Sequence, residues 1–345
     1  MESMKAKERS IQPDDSLLHA LKRMDGLGAK SLLVIDEDGL FAGILSIGDI
    51  QRAIIRNESL QSRVQAILRP NPRVASADMA IEQIREFMLK YRMEFLPVIG
   101  ESRSVVNVYF WDDLFVDKAK VPVKQFDLPV VIMAGGLGIR LKPFTNVLPK
   151  PLFPMGEKTV IEEIFAKFLR HGCKEFYVSA NYKADLLEYY IRNLNLDCRI
   201  HYLKEDKPLG TAGSLYLLKK RMHGTFFVSN CDIVIDQDYG DILDYHHENR
   251  NAITVVAALK HYPIPYGILQ TKQNGLLDSL QEKPELTFKI NSGMYVLDAG
   301  ILDEIPDNTF FHITQLIEKV HAQGKNVGVF PVSEGSWKDV GKWTE

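Results

Sequence analysis

Residues 128 to 155 read LPVVIMAGGLGIRLKPFTNVLPKPLFPM. The apolar run Leu128 to Met133 is short, continuous and rich in β-branched residues, which suits a strand buried on both faces. Small residues follow it: Ala134, Gly135, Gly136 and Gly138. Glycines there let the backbone come close to a ligand and turn its N–H groups toward it. Arg140, Lys142 and Lys150 come next, and Pro143, Pro149 and Pro151 stiffen the return. A strand, a glycine loop and fixed cations are what a polyphosphate requires.

Two common glycine loops are excluded. The dinucleotide fingerprint G-x-G-x-x-G would begin at Gly136, but its last position is Leu141, and the ATPase loop G-x-x-x-x-G-K-[ST] occurs nowhere. The order G-G-x-G-x-R-L-x-P-[LF]-T, then P-K-P-L, is present instead. It resembles the signature of the sugar-1-phosphate nucleotidyltransferases, of the mannose-1-phosphate or glucosamine-1-phosphate guanylyltransferase type. The resemblance implies an α/β, Rossmann-like, glycosyltransferase-A-like domain with a mostly parallel sheet. It also implies Mg²⁺, with an NTP and a sugar 1-phosphate as substrates.

Bulk composition sets the frame. With 345 residues, two domains are the natural expectation. A net charge of -3 argues against a nucleic-acid partner, so phosphates must be held by local cations. The opening MESMKAKERS is polar and charged, so no signal peptide is expected there, and no apolar run reaches the ~20 residues of a membrane span. Cys173, Cys198 and Cys231 lack metal spacing and read as reduced thiols of a cytoplasmic protein.

The first 120 residues contain a repeat, at about 8–65 and 66–118. Ile11, a helix from Leu17, strands SLLVID and FAGILS, and a helix Ile47 to Ile55 make the first copy. Pro72 to Val74, Ala80 to Lys90, FLPVIG, SVVNVYF and WDDLF make the second. Neither copy can bury both faces alone, so the two are expected to pack together. The repeat resembles an α+β pair of CBS modules, most clearly in GILSIGDI (residues 43–50). That resemblance implies an adenine nucleotide held by Ser46 and Asp49, and face-to-face association into a homodimer or larger homo-oligomer. Asp113 is the aligned acid of the second copy, but Phe110 replaces the hydroxyl. Ser46 as a helix N-cap and Asp49 as a first-turn acid is the competing reading. A polar, proline-marked linker follows, VDKAKVPVKQ at 116–125, placing the domain boundary at 121–126 and the second domain at 127–345.

From residue 127 strands and helices alternate, with one helix expected over Thr211 to Lys220. Such alternation implies a largely parallel sheet with ligands beyond its carboxyl edge. The remaining candidates fall at strand ends. LGTAGS follows KEDKP; the resemblance gives Gly210, Thr211 and Ala212 to the nucleobase, and Glu205 to guanine rather than uracil. Glu205 as a plain surface acid stays open. Asp232, ending VSNCD, and Asp339, in WKDVG, are implied as the Mg²⁺ ligands, with Arg140, Lys150 and Asp232 the catalytic set; Asp339 as a helix cap is the alternative. On the sugar side the resemblance points to Gly267, Glu282, Lys283, Asn291 and Gly293, although E-K-P alone is a common surface turn. Three functions stay in play: guanylyl transfer, the same transfer from CTP, UTP or dTTP, and a non-catalytic sensor of NDP-sugar and adenylate.

Overall fold

The computed structural model describes residues 4–115 and 121–340. The chain folds as two compact units, Met1–Val123 and Lys124–Glu345. Among the described residues, no helix is long and apolar enough to cross a membrane.

The second unit is built on a seven-stranded sheet with Val130–Met133 in its interior. In spatial order the strands are Arg199–Lys204, Glu175–Ala180, Val130–Met133, Thr225–Asn230, Glu285–Asp298, Ile253–Pro263 and Val327–Val332. All neighbours are parallel except that Glu285–Asp298 runs against both strands beside it. The mostly parallel sheet expected from the alternation is therefore present, with one reversed strand.

The chain's route decides where a ligand can sit. From Val130–Met133 it moves to one side, through Glu175–Ala180 and Arg199–Lys204, then returns to the other side as Thr225–Asn230. The strand order reverses at the carboxyl ends of Val130–Met133 and its neighbours, which is where sheets of this kind bind ligands. The glycine loop leaves the sheet at that point.

Side chains alternate across the sheet with period two. Val131, Met133, Phe226 and Val228 face a core shared with Leu316 and Val320 of the helix Ile313–Ala322. On the opposite face the rings of Phe168, Phe227 and Tyr239 pack edge to face and tilted. Phe168 belongs to the helix Val160–Arg170, which opens with a capping box: Thr159 accepts from the Glu162 N–H and Glu162 accepts back from the Thr159 N–H.

His171 closes this apolar layer, and burial keeps it neutral. Its ring stacks between Phe126 and Tyr239. Nε2 accepts from the Tyr239 N–H at 3.3 Å, so Nδ1 carries the proton and donates to the Lys124 carbonyl at 2.8 Å. Burial pushes the imidazole below its ordinary 6.5, against the pull of the Lys124 carbonyl and of Asp238. The unfolded chain then binds the extra proton first, so this residue's contribution is complete above pH 6.5 and declines as pH falls below it. Urea unfolding at pH 7.5 and 5.5 is expected to show a smaller loss on acidification for His171→Gln than for the native chain.

Two expectations, one in each unit, are corrected. The helix expected at Thr211 to Lys220 is a single α-turn, Gly210–Gly213, followed by a 3₁₀ run, Ser214–Leu218. The N–H groups of Ala212 and Gly213 both donate to the Phe311 carbonyl, which anchors this segment to a neighbouring loop. The strand expected at Pro72 to Val74 lies at Ala75–Ser76, where Ala75 pairs with Val98 and is fully buried; Pro72 has no N–H to offer a ladder.

In the first unit the repeat is explicit. Ser10–Ile11, Ser31–Ile35 and Phe41–Ser46 form a three-stranded sheet, parallel then antiparallel. Ala75–Ser76, Phe95–Ile99 and Val105–Phe110 repeat that order and sense, down to an irregularity after Val34 in one and Val98 in the other. The copies pack together through Leu33, Phe41, Phe95, Val108 and Phe110. The Glu94 carboxylate of the second copy also accepts from the Lys30 N–H at 2.9 Å and the Ser31 hydroxyl at 3.1 Å of the first.

Candidate active site

The glycine loop needs its glycines for two different reasons. A Cβ on Gly135 would lie 2.7 Å from a Glu205 carboxylate oxygen. Gly138 sits at φ +61°, and a Cβ there would be 2.7 Å from the Thr145 methyl. Thr145 donates from its hydroxyl to the Gly138 carbonyl at 3.1 Å, folding the loop back on itself. Arg140 lies in the 3₁₀ turn Ile139–Leu141 with its side chain exposed.

Lys150 follows at the base of the loop, and its ammonium donates to Asp232 Oδ2. The two side chains are 10% and 16% exposed, so this is an ion pair largely screened from solvent. Asp232 stands just past the strand Thr225–Asn230, the direct neighbour of Val130–Met133. The next residues, Ile233–Ile235, pair antiparallel with Trp337–Asp339, and the Val340 N–H donates to the Asp232 carbonyl at 2.9 Å. Two acids more than a hundred residues apart are thereby brought to adjoining positions of one two-stranded ladder. Asp339 lies in a strand, not at a helix cap. Gly341, the last residue of its motif, lies outside the described residues.

These donors fit a hard divalent cation. Asp232 and Asp339 supply carboxylate oxygens from adjoining strands of one ladder, and in this structure Lys150 holds one of the Asp232 oxygens. Cys231 does not compete as a ligand or nucleophile, because burial pushes its thiol up to about 12 and keeps it protonated.

Asn291 and Gly293 join the same neighbourhood. Gly293, at φ +90°, leaves no room for a Cβ, which would lie 2.7 Å from Asn230 Nδ2. Asn291 Oδ1 accepts from the Gly293 N–H at 3.1 Å and the Tyr295 hydroxyl at 2.9 Å. The Trp337 indole donates to the Ser292 carbonyl at 3.2 Å, tying this turn to the strand bearing Asp339. Gly267 and Glu282 form a second group: a Cβ on Gly267 would be 3.0 Å from a Glu282 carboxylate oxygen. Lys283, exposed at φ +44°, sits beside them. The ladder runs from Pro263 opposite Glu285 to Ala257 opposite Asn291, so roughly 20 Å of strand separates this group from Asn291.

The Glu205 carboxylate is 9% exposed and points inward. One oxygen accepts from the Ser179 hydroxyl and the other from the Leu209 N–H at 3.1 Å. It braces the glycine loop and the following LGTAGS segment from beneath. Thr211 accepts from the Ile313 N–H at 3.0 Å, and Gly210 backs onto the Phe311 carbonyl. A Cβ on Gly213 would meet the Thr309 carbonyl at 2.6 Å and Leu209 Cβ at 2.9 Å. Gly213→Ala is therefore expected to destabilise the chain by about 1–3 kcal/mol, read as a lower urea midpoint at unchanged slope.

Several supporting residues escaped the motif reading. Asn181 donates to the Glu205 carbonyl at 2.7 Å; Tyr182 donates to the Thr145 carbonyl at 3.0 Å; the Lys183 ammonium reaches the carbonyls of Asn146 and Val147 at 2.6 Å each. Their one sequence signal is position, directly after the strand Glu175–Ala180, on the edge where ligands bind.

In the first unit, Ser46 and Asp49 form a reciprocal capping box on the helix Ile47–Ile55. Burial alone would raise the Asp49 carboxyl, but hydrogen bonds from Ser46 and Arg69 outweigh it and hold the group below its ordinary value. Arg52 and Arg69 both bind Asp49 Oδ1. Asp113 is exposed and pairs with Lys5 at 3.2 Å.

A nucleotidyl transferase family model matches residues 129–345, and a CBS domain model matches residues 4–56. The chain is 32% identical over 223 residues to the mannose-1-phosphate guanylyltransferase catalytic subunit beta of Dictyostelium discoideum, covering 62% of this chain and 61% of that protein. It is 30% identical over 226 residues to the mannose-1-phosphate guanyltransferase of Schizosaccharomyces pombe, covering 62% and 61%. The match thus spans about three-fifths of these relatives. HddC from Yersinia pseudotuberculosis superposes with a TM-score of 0.47 at 25% identity, covering 62% of this chain and 94% of that one. With the glycine loop, Lys150, Asp232 and Asp339 all inside the matched stretch, the chain belongs to the nucleotidyl transferase family and carries a CBS domain at its N-terminus.

Proposed function

We propose that this chain transfers a nucleoside monophosphate from an NTP, in the first place GTP, to a sugar 1-phosphate in the cytoplasm, releasing pyrophosphate. One observation supports the reading: Lys150, at the base of the glycine loop, binds Asp232, and Asp232 directly precedes the strand whose first residue, Ile233, pairs with Asp339. The preference for GTP rests on the guanylyltransferase relatives.

In the reaction a phosphate oxygen of the sugar 1-phosphate bonds to the α-phosphorus, and the bond from that phosphorus to the bridging oxygen breaks. The pyrophosphate leaves with the electron pair. The attacking oxygen is already anionic, so no side chain must remove a proton. The work of the protein is alignment and charge stabilisation. Arg140 and the N–H groups of the glycine loop hold the departing pyrophosphate. Lys150 and Lys283 reduce repulsion between the two anionic reactants. Asn291, Gly293, Gly267 and Glu282 orient the sugar, and Gly210, Thr211 and Ala212 shape the base site over Glu205. Mg²⁺ held by Asp232 and Asp339 would neutralise charge on the triphosphate.

The test is a matrix of pyrophosphate release: GTP, CTP, UTP and dTTP against glucose, glucosamine, N-acetylglucosamine and mannose 1-phosphates, with Mg²⁺ or EDTA. Release with GTP that EDTA abolishes is expected. Release with another NTP alone overturns the base assignment. No release from any pair favours the sensor reading and overturns catalysis.

For the first unit we extend the CBS assignment to the second repeat, because its strand order and pairing senses match the first. The pair serves assembly into a homodimer or larger, and regulation by an adenine nucleotide through Ser46 and Asp49, which requires Arg52 or Arg69 to give up the Asp49 carboxylate. Calorimetry with AMP, ADP and ATP tests the ligand; light scattering tests the oligomer.

A further inference from the structure

The ammonium of Lys150 occupies the place that the proposed function assigns to a metal. It donates to Asp232 Oδ2, an oxygen that a divalent cation would need, and the pair is nearly closed to solvent. An ammonium and a metal ion cannot share that oxygen at contact distance without strong repulsion in so dry a setting. We infer that Lys150 is the resident counter-cation of Asp232 and is exchanged, one for one, when the divalent cation binds. This rests on the reading of Asp232 as a metal ligand.

The exchange has a direction. Lys150 Cβ lies 3.6 Å from where a Cβ on Gly138 would stand, so the side chain is rooted against the glycine loop. Leaving Asp232, the ammonium moves between its acid on one side and the loop's phosphate site on the other. Metal entry then delivers a positive charge toward the triphosphate, and a bound triphosphate draws Lys150 off the acid and opens the site. Each ligand favours the same arrangement, so the two bind cooperatively, with equal effects in both directions. Without a nucleotide, Lys150 competes with the metal and keeps its affinity low.

The experiment measures Mn²⁺ binding to the full chain by electron paramagnetic resonance, with no nucleotide present. Lys150→Met is expected to bind Mn²⁺ at least tenfold tighter than the native chain, about 1.4 kcal/mol. Lys142→Met, an exposed cation on the same loop, is expected to change affinity by no more than about twofold, because exposed charges are screened. Adding Asp232→Asn to Lys150→Met should remove the gain. Equal affinity for Lys150→Met and the native chain overturns the exchange, and so does an equal gain from Lys142→Met, which would reflect only the general field. If Asp232→Asn and Asp339→Asn leave Mn²⁺ binding unchanged with and without GTP, the metal-site reading itself fails. Should Lys150→Met not fold, trace acetylation of the native chain decides. Saturating Mg²⁺ should raise labelling of Lys150 several-fold relative to Lys142, and unchanged labelling of Lys150 overturns the proposal.

Discussion

Asp232→Asn is expected to lower turnover by about 10²–10³-fold while the chain remains folded. The substitution keeps the shape of the side chain and removes its charge. That charge has two uses: it holds the Lys150 ammonium before the reaction, and it would hold a divalent cation during it. The second acid, Asp339, sits on the adjoining strand opposite Ile233 and cannot replace it, because the ladder assigns each residue its own place. A stability loss of roughly 1–3 kcal/mol is also expected, since Lys150 is left largely buried beside a neutral amide. Thermal melts separate the two effects: a variant that is fully folded at the assay temperature yet retains native turnover would remove Asp232 from the mechanism.

Arg140→Ala should give a rate loss of similar size, about 10²–10³-fold, with almost no change in stability. The contrast with Asp232 follows from burial. Arg140 is exposed on a short 3₁₀ turn, so its removal leaves no cavity. Its expected contribution is to the charge that develops on the departing pyrophosphate, which appears only as the bond breaks. The loss should therefore fall on kcat more than on the KM for sugar 1-phosphate. Equal turnover of Arg140→Ala and the native chain, in the substrate pair that works best, would remove Arg140 from leaving-group stabilisation.

Much of this was readable from local patterns. A buried run ending in small residues marks Val130–Met133 and its loop without any tertiary information, because close backbone approach demands glycine. Strand and helix spacing located Phe41–Ser46 and Ile47–Ile55 to the residue. Reading failed where a distant segment took over the backbone. The run from Thr211 looks helical by composition, yet the Phe311 carbonyl takes two of its N–H groups. Glu205 sits in a charged stretch that resembles surface, yet it is buried because Ser179 and the Leu209 N–H satisfy its carboxylate.

By itself the sequence determined the kinds of groups available: a bare backbone bend, cations spaced after it, and acids at the ends of apolar runs. Those follow from side-chain chemistry and from periodicities of two and 3.6 residues, which are local properties. Only the tertiary structure decided that Asp232 and Asp339 are neighbours, that Lys150 reaches the first of them, and that Glu205 props the loop. Such pairings arise because strands far apart along the chain must share hydrogen bonds, and that sharing, not their spacing in sequence, sets which side chains meet.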